Sequence, residues 1–253
     1  KGDKVGDNCF FFHEIFLDFP ESQQPPHTRV EMMLASARSL SKQQQIQEAF
    51  RELVQAQKVA EELGNMDDRV QVLLEFGNFF SQQNFIPEAL SMYFGLLKMA
   101  TEHPTPTETQ ARIQIGNIYA ESYQYEKAFL QYEKALQKVK KDSFLAIQTR
   151  LCINRLFFYK TQYDKALESC FLVLSQAESK GLMRIQLAAN FLLAEIFFKM
   201  ENLEESEQYI EKAQELSKLW GDHIQQAQFL ILQGKIYQKR KKFAQAQQYF
   251  EKV

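Results

Sequence analysis

Glycine and proline are scarce in this chain, nine and six among 253 residues. A turn-rich β protein or an α/β enzyme with glycine loops over phosphates needs more of both, so the punctuation points to helices. Cysteine is scarcer still. Cys9, Cys152 and Cys170 lack the number and spacing of a disulfide framework or a zinc module, and a reducing, cytoplasmic setting is the expectation. No charge of one sign dominates: the formal net charge is −2, without the basic excess that nucleic-acid binding requires. Uninterrupted apolar runs of about 18 residues, the length of a membrane span, are also missing. The most apolar amino-terminal stretch, "FFFHEIFLDF", is broken by His13, Glu14 and Asp18. Neither nucleic acid nor a membrane is an expected partner.

Signs of chemistry are equally thin. His13, His27, His103 and His223 have no partner at helical spacing and no nearby carboxylate or thiol cluster, so no metal is expected. The chain contains no G-x-x-x-x-G-K-[ST] and no G-x-S-x-G. The expectation is a protein without catalytic residues or cofactor, that is, not an enzyme.

What the chain does contain is a repeat. Small residues recur at Ala37, Gly77, Gly116, Asn154, Ala194 and Gly234, at intervals of 38 to 40 residues. Three positions after each comes a large apolar or aromatic residue: Leu40, Phe80, Tyr119, Phe157, Phe197 and Tyr237. Twelve positions after each comes a second small residue: Ala49, Ala89, Ala128, Ala166, Ser206 and Ala246. That second residue is preceded by three and followed by four with further large or apolar residues, the latter being Leu53, Tyr93, Tyr132, Cys170, Ile210 and Phe250. Spacings of three and four mark one helical face, so each unit reads as helix A, a short turn and helix B. Glycine inside a helix costs roughly 1 kcal/mol against alanine. Gly77, Gly116 and Gly234 are therefore expected where helices A and B touch closely, with Tyr119 and its equivalents filling beside the contact. Asn154 is the odd member; a polar residue at such a crossing needs a hydrogen-bond partner, and the fourth unit is expected to be slightly opened. Pro87 sits where a first helical turn tolerates it, and Gly64, Gly181 and Gly221 fall between units.

The stretch "IGNIYAESYQYEKAFLQYEKAL" resembles the tetratricopeptide repeat family, whose signature is a small residue then Tyr on helix A, followed by Ala, an aromatic and Ala on helix B. The resemblance covers residues 29–253. A period of 38 to 40 exceeds the family's usual ~34 and is similar to its longer-helix branch, with kinesin light chains, spindle-orientation adaptors and the peptide-sensing quorum regulators of Gram-positive bacteria. The resemblance implies an all-α, right-handed superhelical solenoid of about six helix-turn-helix repeats, with the A helices lining a concave groove. The sixth repeat is read as truncated and without a capping helix, which makes self-association or a covering partner at that end an expectation. Residues 1–28 are read as a separate segment, a short amphipathic helix with Phe12, Ile15, Phe16 and Phe19 followed by a linker. Its expected role is to cap the first repeat; the alternative is that residues 8–19 plug a groove.

In this family's architecture the residue after each small A-helix position faces the groove: Arg38, Asn78, Asn117, Arg155, Glu195 and Lys235. Seven residues earlier, on nearly the same azimuth, stand Gln71, Gln110 and Gln148, with Leu74, Ile113 and Leu151 between. An amide both donates and accepts, so Asn78 and Asn117 could each grip a peptide unit, and Arg155 could take a carboxylate with two parallel bonds. Phe158 and Phe198 follow the core aromatics by one residue and turn about 100° toward the lining, where they could form an apolar patch. A polar groove face is equally what any solenoid presents to water. Leu74 and Leu151 stand where the family's chaperone-tail clamps carry Lys, which disfavours chaperone tails as ligands. The basic run "YQKRKK" ending at Lys242 reads as a solvated turn. The leading expectation is a non-enzymatic interaction module for a peptide or partner helix. The alternatives are a structural subunit of a larger assembly or the sensor domain of a larger regulator.

Overall fold

The computed structural model describes residues 29–102, 107–218 and 223–252. The expected amino-terminal helix and linker, His103 and Gly221 lie outside them. Twelve helices and no strand are found among the described residues: α1 (Arg29–Lys42), α2 (Ile46–Leu63), α3 (Met66–Gln82), α4 (Ile86–Glu102), α5 (Thr107–Glu121), α6 (Tyr125–Leu136), α7 (Phe144–Tyr159), α8 (Tyr163–Ser179), α9 (Met183–Lys199), α10 (Leu203–Ser217), α11 (His223–Lys239) and α12 (Phe243–Phe250). Odd numbers are the A helices and even numbers the B helices. The chain forms two compact units, one ending at Val139 and holding α1 to α6, the other starting at Lys140 and holding α7 to α12.

Within the first unit each A helix packs on its own B helix, each B helix on the next A helix, and α3 also touches both α1 and α5. The A helices of this unit thus stand side by side. The second unit repeats the plan, with α9 touching both α7 and α11. The small B-helix residues are the axis of each repeat: Ala49, Ala89, Ala128, Ala166 and Ser206 are fully buried, and Ser206 Oγ donates to the carbonyl of Ala194 at 2.8 Å. Burying aromatic and aliphatic side chains around them supplies the stabilisation, about 25 cal/mol for each Å² of apolar surface removed from water.

The A-to-B turn is the same in every repeat. Gln44, Asn84, Tyr123, Thr161, Glu201 and Lys241 all adopt positive φ, between 57° and 66°, seven residues after the small A-helix position. The next amide bonds back across the helix end: Gln45 to the carbonyl of Leu40, Phe85 to Phe80, Gln124 to Tyr119, Gln162 to Phe157, Asn202 to Phe197 and Lys242 to Tyr237, at 2.8–2.9 Å. This is a Schellman stop. It satisfies the last carbonyls of helix A, and the residue that follows it accepts the first amide bond of helix B, from Ala49 to Gln45 and its equivalents. The recurrent large residue at Leu40, Phe80 and Tyr119 is therefore the hinge point of the turn. It is not the residue nearest the glycine.

That correction identifies the glycine's real neighbour. A Cβ added to Gly77 would lie 2.7 Å from Cδ1 of Tyr93, and one added to Gly116 would lie 2.7 Å from Cδ1 of Tyr132. Gly234 meets Phe250 in the same way. The ring comes from helix B, sixteen residues on. In the fourth repeat Asn154 and Cys170 replace the pair, filling the same space with a larger A-helix and a smaller B-helix side chain. Both are fully buried, helix α7 runs uninterrupted through the site, and neither amide atom of Asn154 finds a hydrogen-bond partner. The two helices of this repeat pack less closely than those of the other repeats, in keeping with the expected slight opening, and the amide is left unsatisfied.

Candidate functional site

The A-helix face of the first unit gathers the expected groove residues. Asn78 and Asn117 occupy the same register on α3 and α5. Each is nearly buried, and each amide Oδ1 accepts from the hydroxyl of the tyrosine that covers the neighbouring glycine: Tyr93 to Asn78 at 2.8 Å and Tyr132 to Asn117 at 2.7 Å. Burial pushes the Tyr93 phenol well above its ordinary range, and the charges of Glu75 and Glu121 add to the shift, so it stays a donor. The two amides, expected to be open to a ligand, are thus clasped from behind. Asn117 Nδ2 donates to Gln114 Oε1 at 3.2 Å, and the Asn78 side chain bonds Glu75. An amide has two donor hydrogens and two acceptor lone pairs, so each still keeps one of each.

Beside Asn78 lies a cleft of about 50 Å³ between the A helices of the first two repeats, lined by Ala37, Arg38, Ser41, Lys42, Leu53, Glu75, Asn78, Phe79 and Gln82. Arg38 Nη1 donates to Glu75 Oε1 at 2.8 Å, and Ser41 Oγ to Gln82 Oε1 at 2.8 Å, tying the two helices across the rim. Burial raises the Glu75 pKa, and the Arg38 cation offsets part of that. Arg38 keeps half its side chain in water. Gln71 and Gln110 are half-buried on the same stripe, and Leu74 and Ile113 are buried.

The second unit is different. Arg155 is buried and paired with Glu195, the residue at its own register on the next A helix, so the carboxylate expected from a ligand is supplied by the chain. Gln148 is buried with Oε1 unpartnered. Phe158 is buried against Tyr159 and Tyr163, with ring centroids 5.7 and 5.8 Å away, and is not part of an open patch. Phe198 carries Lys239 Nζ 5.1 Å above its ring. Lys235 is exposed. Two of the four cations of the basic run are paired with the preceding repeat, Lys239 with Glu201 at 2.8 Å and Arg240 with Glu207 at 2.6 Å. Burial pushes the Cys170 thiol up to about 12, which keeps it protonated and inert. Among the described residues no cluster of three or more metal-ligating side chains occurs, and no helix is long and apolar enough to cross a membrane.

Residues 185–253 match the tetratricopeptide repeat family. No match exists among curated protein sequences. In fold the chain is similar to BtubC (BKLC) from P. vanneervenii, with a TM-score of 0.63 and 16% identity over 89% of each chain. It is similar to aspartyl phosphate phosphatase F from Bacillus subtilis, with a TM-score of 0.69 and 16% identity over 88% of this chain and 68% of that one. It is also similar to NprR, solved in complex with its cognate peptide NprX, with a TM-score of 0.69 and 18% identity over 88% of this chain and 65% of that one.

Proposed function

From a chain that carries tetratricopeptide repeats, we propose a non-enzymatic interaction module whose first unit binds an extended peptide segment along its A-helix face. The observation that carries this reading is the paired clasp: two amides, one repeat apart, held in one pose by buried tyrosine hydroxyls, the first of them beside a cleft of mixed polar and apolar lining. An extended ligand presents peptide groups at regular spacing, and pre-set amides at regular spacing bind them with little loss of side-chain freedom. NprR, similar in fold, is solved in complex with its cognate peptide NprX, which supports a peptide as the ligand class. Gln71 and Gln110 extend the polar stripe, and Leu74 and Ile113 give it apolar anchors. In the second unit Arg155 acts with Glu195 as a structural pair, Lys235 offers an exposed contact, and Phe198 is half-buried under Lys239.

The test is a peptide-display selection on the chain, followed by affinity measurement of an enriched peptide. Asn78→Ala/Asn117→Ala leaves two buried hydroxyls without acceptors, so it is made together with Tyr93→Phe/Tyr132→Phe. The tyrosine changes alone keep the amides and should bind within a few-fold of the native chain; the fourfold variant, verified as folded, should lose binding. Equal affinity for both would sink the proposal.

A further inference from the structure

Glu121 is the last residue of α5. The matching positions on the other A helices hold Lys42, Gln82, Tyr159, Lys199 and Lys239, neutral or basic as the negative end of a helix dipole favours. Glu121 is the exception. Its carboxylate is half-buried, and burial pushes its pKa up to about 7. Among the described residues it has neither ion-pair nor hydrogen-bond partner, whereas Glu75, Glu108, Glu195, Glu201 and Glu207 are each held by a cation. Burial, the helix end and the missing counter-ion all act against the charge.

The surroundings place this carboxylate in the peptide-binding stripe. Asn117 stands one turn before it and Gln114 one turn earlier still, all three on one side of α5. Gln114 is 6% exposed, and its Nε2 has no partner although its Oε1 is held by Asn117. Tyr93, which clasps Asn78 in the preceding repeat, lies close enough to feel the Glu121 charge. The stripe therefore runs through an unfilled donor and a pre-set amide to an uncompensated anion.

We infer that the segment bound by the first unit carries a lysine or arginine whose charged end rests on Glu121. The inference depends on the peptide-binding reading above and adds the chemistry of the ligand. A cation from outside relieves all three penalties at once, and the adjacent amides hold the main chain that brings it.

The experiment is a selection of random displayed peptides on the whole chain, run in parallel on Glu121→Gln, which keeps shape and removes a buried charge. The native chain is expected to enrich peptides with Lys or Arg at one fixed position, and the variant to enrich peptides without it. Replacing that lysine by norleucine in one selected peptide should weaken binding about tenfold on the native chain and about twofold or less on Glu121→Gln. Enriched peptides with no common cation, or a cation preference that survives the substitution, would overturn the inference while leaving the peptide site standing. No enrichment on either protein would remove both.

Discussion

The hydroxyl of Tyr132 donates to Asn117 Oδ1 at 2.7 Å while the same ring covers Gly116, so one side chain of helix B both closes the helix crossing and sets a groove amide. The arrangement recurs in Tyr93, Asn78 and Gly77. Gly116→Ala should therefore cost about 1–3 kcal/mol by forcing the ring aside. Peptide binding should change by no more than a few-fold, as in Tyr132→Phe, since either change takes the same hydroxyl from the amide. Urea titration and affinity measurement on the same preparation check both halves.

Asn154 offers the opposite result. Its amide is buried with donor and acceptor both unmet, and alanine serves at the matching positions Ala37 and Ala194. Removing a buried unsatisfied polar group returns about 1–3 kcal/mol, against a small cavity term, so Asn154→Ala should stabilise by about 1 kcal/mol. A fall in the denaturation midpoint would show that the amide has a partner in solution.

Thr161 holds a left-handed conformation at φ 57°, which a β-branched residue resists. Thr161→Gly should raise stability by about 1 kcal/mol, and Asn84→Gly, at a position already suited to that conformation, should change it by less than about 0.5 kcal/mol. Thermal unfolding of the two variants side by side separates backbone strain from general loop effects.

Acid should favour the folded first unit through Glu121. Its pKa is about 7 folded against 4.5 ordinarily, so the folded state holds the proton longer and stability declines as pH rises from 4.5 to 7. Burial is the cause; the titratable group that feels the Glu121 charge is the Tyr93 phenol, itself pushed well above its ordinary range. With solvent screening allowed for, the contribution is on the order of 2 kcal/mol. Glu121→Gln should flatten that part of the profile, as measured by urea midpoints at pH 5, 6, 7 and 8.

Arg155 and Glu195 form a buried pair between neighbouring A helices. Breaking it from one side strands a charge, and Arg155→Ala should cost about 3 kcal/mol. Arg155→Leu/Glu195→Leu should recover most of that loss. A double variant as unstable as the single one would mean that the pair does more than neutralise itself.

Much of the fold was legible because its determinants are periodic. Small residues at Ala37, Gly77 and Gly116 and their B-helix counterparts mark a face that any 3.6-residue helix must bury. The turn was not legible. Its left-handed residue is Gln, Asn, Tyr, Thr, Glu or Lys, and its geometry comes from main-chain bonds across the helix end, which leave no mark on side-chain choice. The groove stripe of Asn78 and Asn117 was visible, but its burial was not, because the covering ring lies fifteen residues away. A signal existed: at the small A-helix position the pair Gly-Asn occurs only in the repeats whose helix B supplies tyrosine, Tyr93 and Tyr132. Glu121 escaped for a similar reason, since only the row Lys42, Gln82, Tyr159, Lys199 and Lys239 makes an acid there unusual.

The clasp also carries a timetable. Tyr132 meets Asn117 across fifteen residues and Tyr93 meets Asn78 across the same span, whereas Arg38 reaches Glu75 across 37 and Ser41 reaches Gln82 across 41. At a synthesis rate of roughly 5–20 residues per second, the short contact becomes available within about three seconds of its first partner leaving the ribosome, and the ties to the next repeat a few seconds later. Each of these two repeats can therefore close on itself before its successor emerges.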